Sequence, residues 1–226
     1  MKQYKAVLFD LDGTLLDTAG DLGHALNTVL QSEGLPALPL DIIRPAAGRG
    51  SEGLLKLGLN IDKSDPHFSR LSQQLLAVYQ TSLCATTRLF TGMEEVLAFL
   101  EKNHLPWGIV TNKPAQYTDP LLAYLNLSTR AKCVISGDTL TNRKPHPEPI
   151  LHACRLLQQA PEDCLYIGDS EIDIQASKAA NVASLAALYG YIPEEINPRD
   201  WNADGYIQQP VDIIKWLDKV DASNKL

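Results

Sequence analysis

Five short apolar runs punctuate the chain, at residues 6–9, 107–110, 133–135, 165–167 and 183–188. Each has strand length and is almost continuously apolar, the pattern of a strand buried on both faces of a sheet. The stretches between them change period. Residues 93–102 carry apolar side chains at 93, 96, 97 and 100, one face of a helix, and Thr91-Gly92-Met93-Glu94 reads as a capping box at its start. Residues 148–158 follow Pro147, which suits a first helical turn. Residues 172–180 run up to Asn181, which tolerates the left-handed conformation that closes many helices. A last helix is expected over 211–220. Strands alternating with helices predict a parallel α/β sheet flanked by helices.

One interval breaks the alternation. Nearly a hundred residues separate Phe9 from Trp107, whereas a simple crossover needs only about 30. Helical patterns fill the gap at 22–30, 52–59 and 68–83, with Pro36, Pro39, Pro45 and Pro66 at the joints. This predicts a helical subdomain over 18–85, inserted after the first strand, with 1–17 and 86–226 forming the α/β core. An independent second domain is the alternative, but one of roughly 65 residues is marginal alone. The tail at 221–226 reads as a fraying end.

Composition narrows the function classes. The 226 residues are 45% hydrophobic and 21% charged, which excludes disordered, collagen-like and coiled-coil chains. Twenty basic against 27 acidic residues give a net charge of −7. No basic surface for nucleic acid is expected, whereas a phosphorylated small molecule needs only one or two local cations. Cys84, Cys133, Cys154 and Cys164 form no C-x-x-C pair, so zinc and redox motifs are not indicated. The apolar run near the start is four residues long, short of the roughly 7–15 of a signal peptide. No stretch reaches the roughly 18 apolar residues of a membrane span. A cytoplasmic protein with reduced thiols and no membrane partner is the expectation.

The first strand runs straight into Asp10-Leu11-Asp12-Gly13-Thr14. Ligands of open α/β sheets bind beyond the carboxyl ends of the strands. Gly13 lets the backbone turn sharply there and approach a ligand. A simple Asx-turn explains one aspartate but not two acids followed by Gly and Thr. The fourth apolar run ends alike, in Gly168-Asp169-Ser170-Glu171-Ile172-Asp173. Asp173 falls at a helix start, where Asp is also a favoured cap. Like charges 4 Å apart repel by about 4 kcal/mol at an effective dielectric of about 20, so two acidic strand ends in one sheet call for a cation. Oxygen ligands favour Mg²⁺. Thr111, with the amides of Asn112 and Lys113, ends the second strand, and Lys144 follows the third between Asn142 and Pro147. Lys144 reads either as a point cation for phosphate or as a solvated lysine.

In this order the elements resemble the four motifs of the haloacid dehalogenase-like hydrolase superfamily: Asp10 to Thr14, Thr111, Lys144, and Gly168 to Asp173. The resemblance covers nearly the whole chain. It implies a Rossmann-like core with an inserted helical cap. It also implies that Asp10 is the nucleophile, forming an aspartyl-phosphate, and that Asp12 is the general acid and base. Mg²⁺ is then held by Asp10, the Asp12 carbonyl and Asp169. Asp173 supports the metal or its waters, or orients Lys144. Thr111, the Asn112 amide and Lys144 hold the phosphoryl oxygens. Relatives that cleave carbon–halogen bonds or phosphonates lack an aspartate at position 12, so a phosphatase or phosphomutase is implied.

Thr111-Asn112-Lys113-Pro114 and the cap layout are similar to the phosphoglycolate-phosphatase-like group. Tyr189-Gly190-Tyr191-Ile192, with Asn197, Pro198, Trp201, Ala203 and Asp204, resembles the bacterial N-acetylmuramic acid 6-phosphate phosphatases that recycle cell-wall sugars. Loop packing with no substrate contact is the alternative reading of this segment, and the preferred one for Trp201. Arg49, in Ala47-Gly48-Arg49-Gly50-Ser51, is the cap candidate for a substrate carboxylate; a solvated surface arginine is the alternative. The expected partner is a small phosphorylated metabolite, with the chain a monomer or homodimer. A receiver-like switch or an idle phosphate binder stays open, although Asp12-Gly13-Thr14 and the long insertion count against the switch.

Overall fold

The apolar runs become the strands of one sheet. The structure is a computed structural model and describes residues 4–222. In chain order its strands are β1 (Ala6–Phe9), β2 (Leu16–Asp17), β3 (Arg88–Leu89), β4 (Trp107–Val110), β5 (Val134–Ile135), β6 (Cys164–Gly168), β7 (Ala183–Ala187) and β8 (Gly205–Ile207). Six of them form a sheet in the order β5-β4-β1-β6-β7-β8, every pairing parallel. The chain builds outward from β1 through β4 and β5, then crosses back to β6, β7 and β8. That reversal beside β1 is the topological switch point where open α/β sheets form a crevice.

The helices are α1 (Ala19–Ser32), α2 (Leu40–Ala47), α3 (Gly50–Leu59), α4 (Phe68–Thr81), α5 (Met93–Lys102), α6 (Ala115–Tyr124), α7 (Glu148–Leu156), α8 (Glu171–Ala179) and α9 (Asp212–Ala222). The strand period of two sorts the core into layers. Val7 and Phe9 pack with Val96, Leu97 and Leu100 of α5 and Ile213 and Leu217 of α9. Ala6 and Leu8 face the other way, toward Ile150 and Ala153 of α7 and Ala176 of α8. Each buried Leu, Ile or Phe contributes about 1.5–3 kcal/mol. Helices α1 to α4 surround a second cluster that includes Leu26, Ile43, Leu54, Leu75 and Tyr79 and is joined by Tyr117 of α6 and Tyr191. The antiparallel pair β2–β3 flanks these helices in the chain, with Leu16 opposite Leu89. Asp21 adds a tie, accepting from the backbone and hydroxyl groups of Thr86 and Thr87.

The structure departs from these expectations at several points. Pro45 lies inside α2 rather than at a joint, and α6, likewise containing a proline, was not expected at all. Proline argues against a helix interior, but burial of Ile43 and Ala47 in α2, and of Tyr117, Leu121 and Leu122 in α6, outweighs the lost hydrogen bond. The capping box at Thr91 is not formed. Gly92 itself occupies the cap position at φ 88°, with no side-chain cap, and a box needs the hydroxyl at that position. Strand β8 is too short to leave a pattern. Asn181 does close α8 in the left-handed region, at φ 56°. Of the expected fraying tail, 223–226 lie outside the described residues, and Asp221 and Ala222 belong to α9.

Candidate active site

The ends of β1, β4 and β6 and the loop after β5 converge on one cation. Asp10 follows β1, Thr111 follows β4 and Asp169 follows β6. Lys144 reaches in from its loop, its side chain 2% exposed. Its Nζ lies 2.7 Å from Asp10 Oδ1, 2.7 Å from Asp173 Oδ1, 2.8 Å from the Val110 carbonyl oxygen and 2.8 Å from the Tyr166 hydroxyl. Lys144 is thus a positioned side chain, not a solvated one. Asn112 explains how its loop is held: the amide oxygen accepts from Lys144 N at 3.0 Å, and the amide nitrogen donates to Lys144 O at 2.9 Å. The Asn112 backbone N–H has no partner among the described residues.

Asp173 is at once part of a helix cap and a partner of Lys144. It sits at the third position of α8, and Ser170, the cap, forms a reciprocal capping box with it. Oδ2 is spent on Ser170 and Oδ1 on Lys144 and Tyr166. Asp169 accepts from the Thr14 hydroxyl at 2.8 Å and from Tyr191 N at 2.8 Å. Gly190 is required by this packing, because a Cβ there would overlap the Asp169 side chain and lie 2.6 Å from the Gly13 carbonyl oxygen. Gly190→Ala should displace Asp169 and lower turnover by about a hundredfold with the fold retained. Phosphatase assays beside circular dichroism check this; undiminished turnover would show that the position of Asp169 is not critical.

The electrostatics favour a further cation. Burial pushes the Asp10 carboxyl up to about 7; Lys144 opposes this, while Asp173 and Asp12 add to it. Burial, with Asp10 and Asp173 nearby, carries Asp169 well above the usual carboxylate range. Burial pulls Lys144 down, yet Asp10 and Asp173 more than reverse it. Asp10, Asp169 and Asp173 each place an oxygen within 4.8 Å of the other two. One ammonium among three such carboxylates leaves excess negative charge, and an all-oxygen donor set fits Mg²⁺.

Asp12 stands beside this cluster, on its own set of contacts. Its Oδ1 accepts from the Thr18 hydroxyl at 2.6 Å and from Lys113 Nζ at 3.0 Å. Thr111, 4% exposed, accepts from Lys113 N through its hydroxyl at 3.1 Å. The profile of the haloacid dehalogenase-like hydrolase family matches residues 7–187. The chain belongs to that family. It is 38% identical over 214 residues to an N-acetylmuramic acid 6-phosphate phosphatase of Pseudomonas putida, covering 95% of this chain and 96% of that one. It is 40% identical over 211 residues to a phosphoglycolate phosphatase of Xanthomonas campestris, covering 93% and 95%. A crystal structure described as a predicted phosphoglycolate phosphatase from Haemophilus somnus superposes with a TM-score of 0.83 at 28% identity, covering 95% and 98%. This haloacid dehalogenase-like hydrolase is a phosphoric monoester phosphatase.

Sequence reasoning missed several residues that shape the hydrolase's site. Thr14, quoted in the first motif but given no role of its own, donates to Asp169. Tyr166 stands out as the polar-tipped residue of an aliphatic strand, and its hydroxyl meets both Lys144 and Asp173. Tyr191, singled out with its segment but given no contact, accepts with its hydroxyl from Thr18 N at 2.6 Å and Ala19 N at 2.8 Å, and donates to Asp17 at 2.9 Å. It therefore links the start of α1 to the strand end that carries Asp169. Trp201 is half-buried, and its backbone carbonyl accepts from Lys178 at 2.9 Å. Arg49 is exposed at the start of α3, with no ion pair among the described residues. The arginine of the inserted helices that touches the core is Arg44, 2.8 Å from Asp17 and 5.8 Å from the Tyr191 ring centroid.

Proposed function

We propose that this phosphatase works through an aspartyl-phosphate on Asp10 and acts on N-acetylmuramic acid 6-phosphate. The observation that carries the chemistry is Lys144, buried and bonded to both Asp10 and Asp173 at the switch point of the sheet. An Asp10 oxygen attacks phosphorus, and the bond to the leaving oxygen breaks. Asp12 gives that oxygen a proton, then takes one from the water that attacks the acyl-phosphate, releasing phosphate and free Asp10. Lys144, the Thr111 hydroxyl and the Asn112 N–H hold the phosphoryl oxygens, and Asp173 orients Lys144. Asp10, Asp169 and the Asp12 carbonyl are the groups to hold Mg²⁺, which offsets the charge of the incoming phosphate. Chelation should silence the enzyme reversibly, and Asp169→Ala should raise the Mg²⁺ needed for half-activity by about tenfold or more. Full turnover in excess chelator would contradict this.

Residues 18–85 act as a cap over the core and supply selectivity. Relatives of both substrate types match at similar identity, so the choice of substrate rests on the segment from Tyr189 to Asp204. That segment lies beside Asp169 through Tyr191 and is anchored to β7 by Asp204, which accepts from Ser184 N at 2.8 Å. A sugar phosphate also offers more remote contacts than a two-carbon acid, and remote binding energy can be used in the chemical step. Among the described residues no helix is long and apolar enough to cross a membrane; a cytoplasmic setting is proposed with the substrate. The test is kcat/KM for N-acetylmuramic acid 6-phosphate and 2-phosphoglycolate on one preparation. We expect the sugar phosphate to be preferred; preference for phosphoglycolate would overturn the substrate and leave the chemistry standing.

A further inference from the structure

We propose that Lys113 is a positioning residue for Asp12 and that Tyr79 of the inserted helices seats it; this rests on the reading of Asp12 as acid and base. Lys113 has no part in the four motifs, yet its side chain is 7% exposed. A buried lysine needs a charge partner. Its Nζ lies 3.0 Å from Asp12 Oδ1 and 3.3 Å from Oδ2, spanning both oxygens. The Thr18 hydroxyl holds Oδ1 from a second direction at 2.6 Å. A carboxylate on a short stem otherwise rotates, and proton transfer requires it within about 2.6–3.2 Å of the reacting oxygen. The Lys113 contact fixes the plane of that carboxylate.

What fixes Lys113 comes from the other layer. Its Nζ sits 4.6 Å from the centroid of the Tyr79 ring, on α4. The Tyr79 ring is in turn packed against Tyr117 of α6, with centroids 5.6 Å apart. The Tyr79 hydroxyl is buried with no hydrogen-bond partner among the described residues, and the ring lies under the ammonium. The Asp12 carboxylate is thereby oriented by a lysine of the core loop whose seat is an aromatic ring of the inserted helices.

The test compares wild type, Lys113→Met, Asp12→Ala and the double variant, with p-nitrophenyl phosphate and phenyl phosphate as probes. Neither ester carries a carboxylate, so a lost contact to a substrate carboxylate cannot imitate the effect. Phenolate is the poorer leaving group and depends more on a proton. We expect Lys113→Met to lower kcat on phenyl phosphate about tenfold more than on p-nitrophenyl phosphate, with KM within about twofold. In the Asp12→Ala background the same change should add less than about twofold, because it acts through Asp12. Tyr79→Leu should give the Lys113→Met pattern more weakly. Lys113→Gln, which keeps a donor, should recover part of the loss and guards against a folding defect in Lys113→Met. Equal losses on both esters, or a loss that persists without Asp12, would overturn the proposal for Lys113 alone. If Asp12→Ala does not itself discriminate between the esters, the role given to Asp12 falls, and this proposal with it.

Discussion

Asp10→Asn should lower turnover by at least about ten-thousandfold while leaving the fold intact. The amide nitrogen has no lone pair to offer phosphorus, and the amide oxygen is a far weaker nucleophile than a carboxylate. The amide oxygen can still accept from Lys144, so the hydrogen bond at 2.7 Å has a replacement. One charge also leaves a crowded cluster of three aspartates. The melting temperature should therefore equal or exceed that of the parent. Phosphatase assays with thermal melts separate the two effects. Near-normal activity would rule out Asp10 as nucleophile, and a collapsed fold would show that its charge is structural.

Lys144→Met should damage stability and activity together. The ammonium is surrounded by four oxygens and is nearly solvent-free. Methionine fills similar space but leaves Asp10 and Asp173 without a counter-charge. Removing one partner of a buried ion pair costs roughly 3–5 kcal/mol, or roughly 10 °C in melting temperature for a chain of this size. Loss of a cation aimed at the transferring phosphoryl group should lower kcat by about a hundredfold or more. Adding Asp173→Asn should restore part of the stability and none of the activity. A melting temperature within a degree or two of the parent would mean that Lys144 does not hold the cluster together.

The parts of this molecule that were legible in the sequence are those whose signal is local. Ala6 to Phe9 is apolar throughout because both faces of β1 are covered, and Asp10 follows at once because a central strand must end at the crevice. Asp169 and Asp173 were legible for the same reason at the end of β6. The residues that were not legible act across the chain. Tyr166 is separated from Lys144 by 22 positions and Tyr191 from Thr18 by 173, and only the sheet order brings them together. Lys113 was visible next to Thr111, but nothing local indicated that it would meet Asp12, 101 positions away. Helices α2 and α6 were hidden by Pro45 and Pro120, because tertiary packing overrode local propensity.

Rapid acid quench during turnover of p-nitrophenyl phosphate with Mg²⁺, followed by mass spectrometry of the peptide containing Asp10, tests the account most directly. An acyl-phosphate is stable enough in acid to be captured. The expected result is a fraction of that peptide heavier by one phosphoryl group, with the modification on Asp10, absent without substrate and absent in Asp10→Asn. Steady turnover with that peptide never modified, or with the phosphoryl group on another residue, would contradict the account.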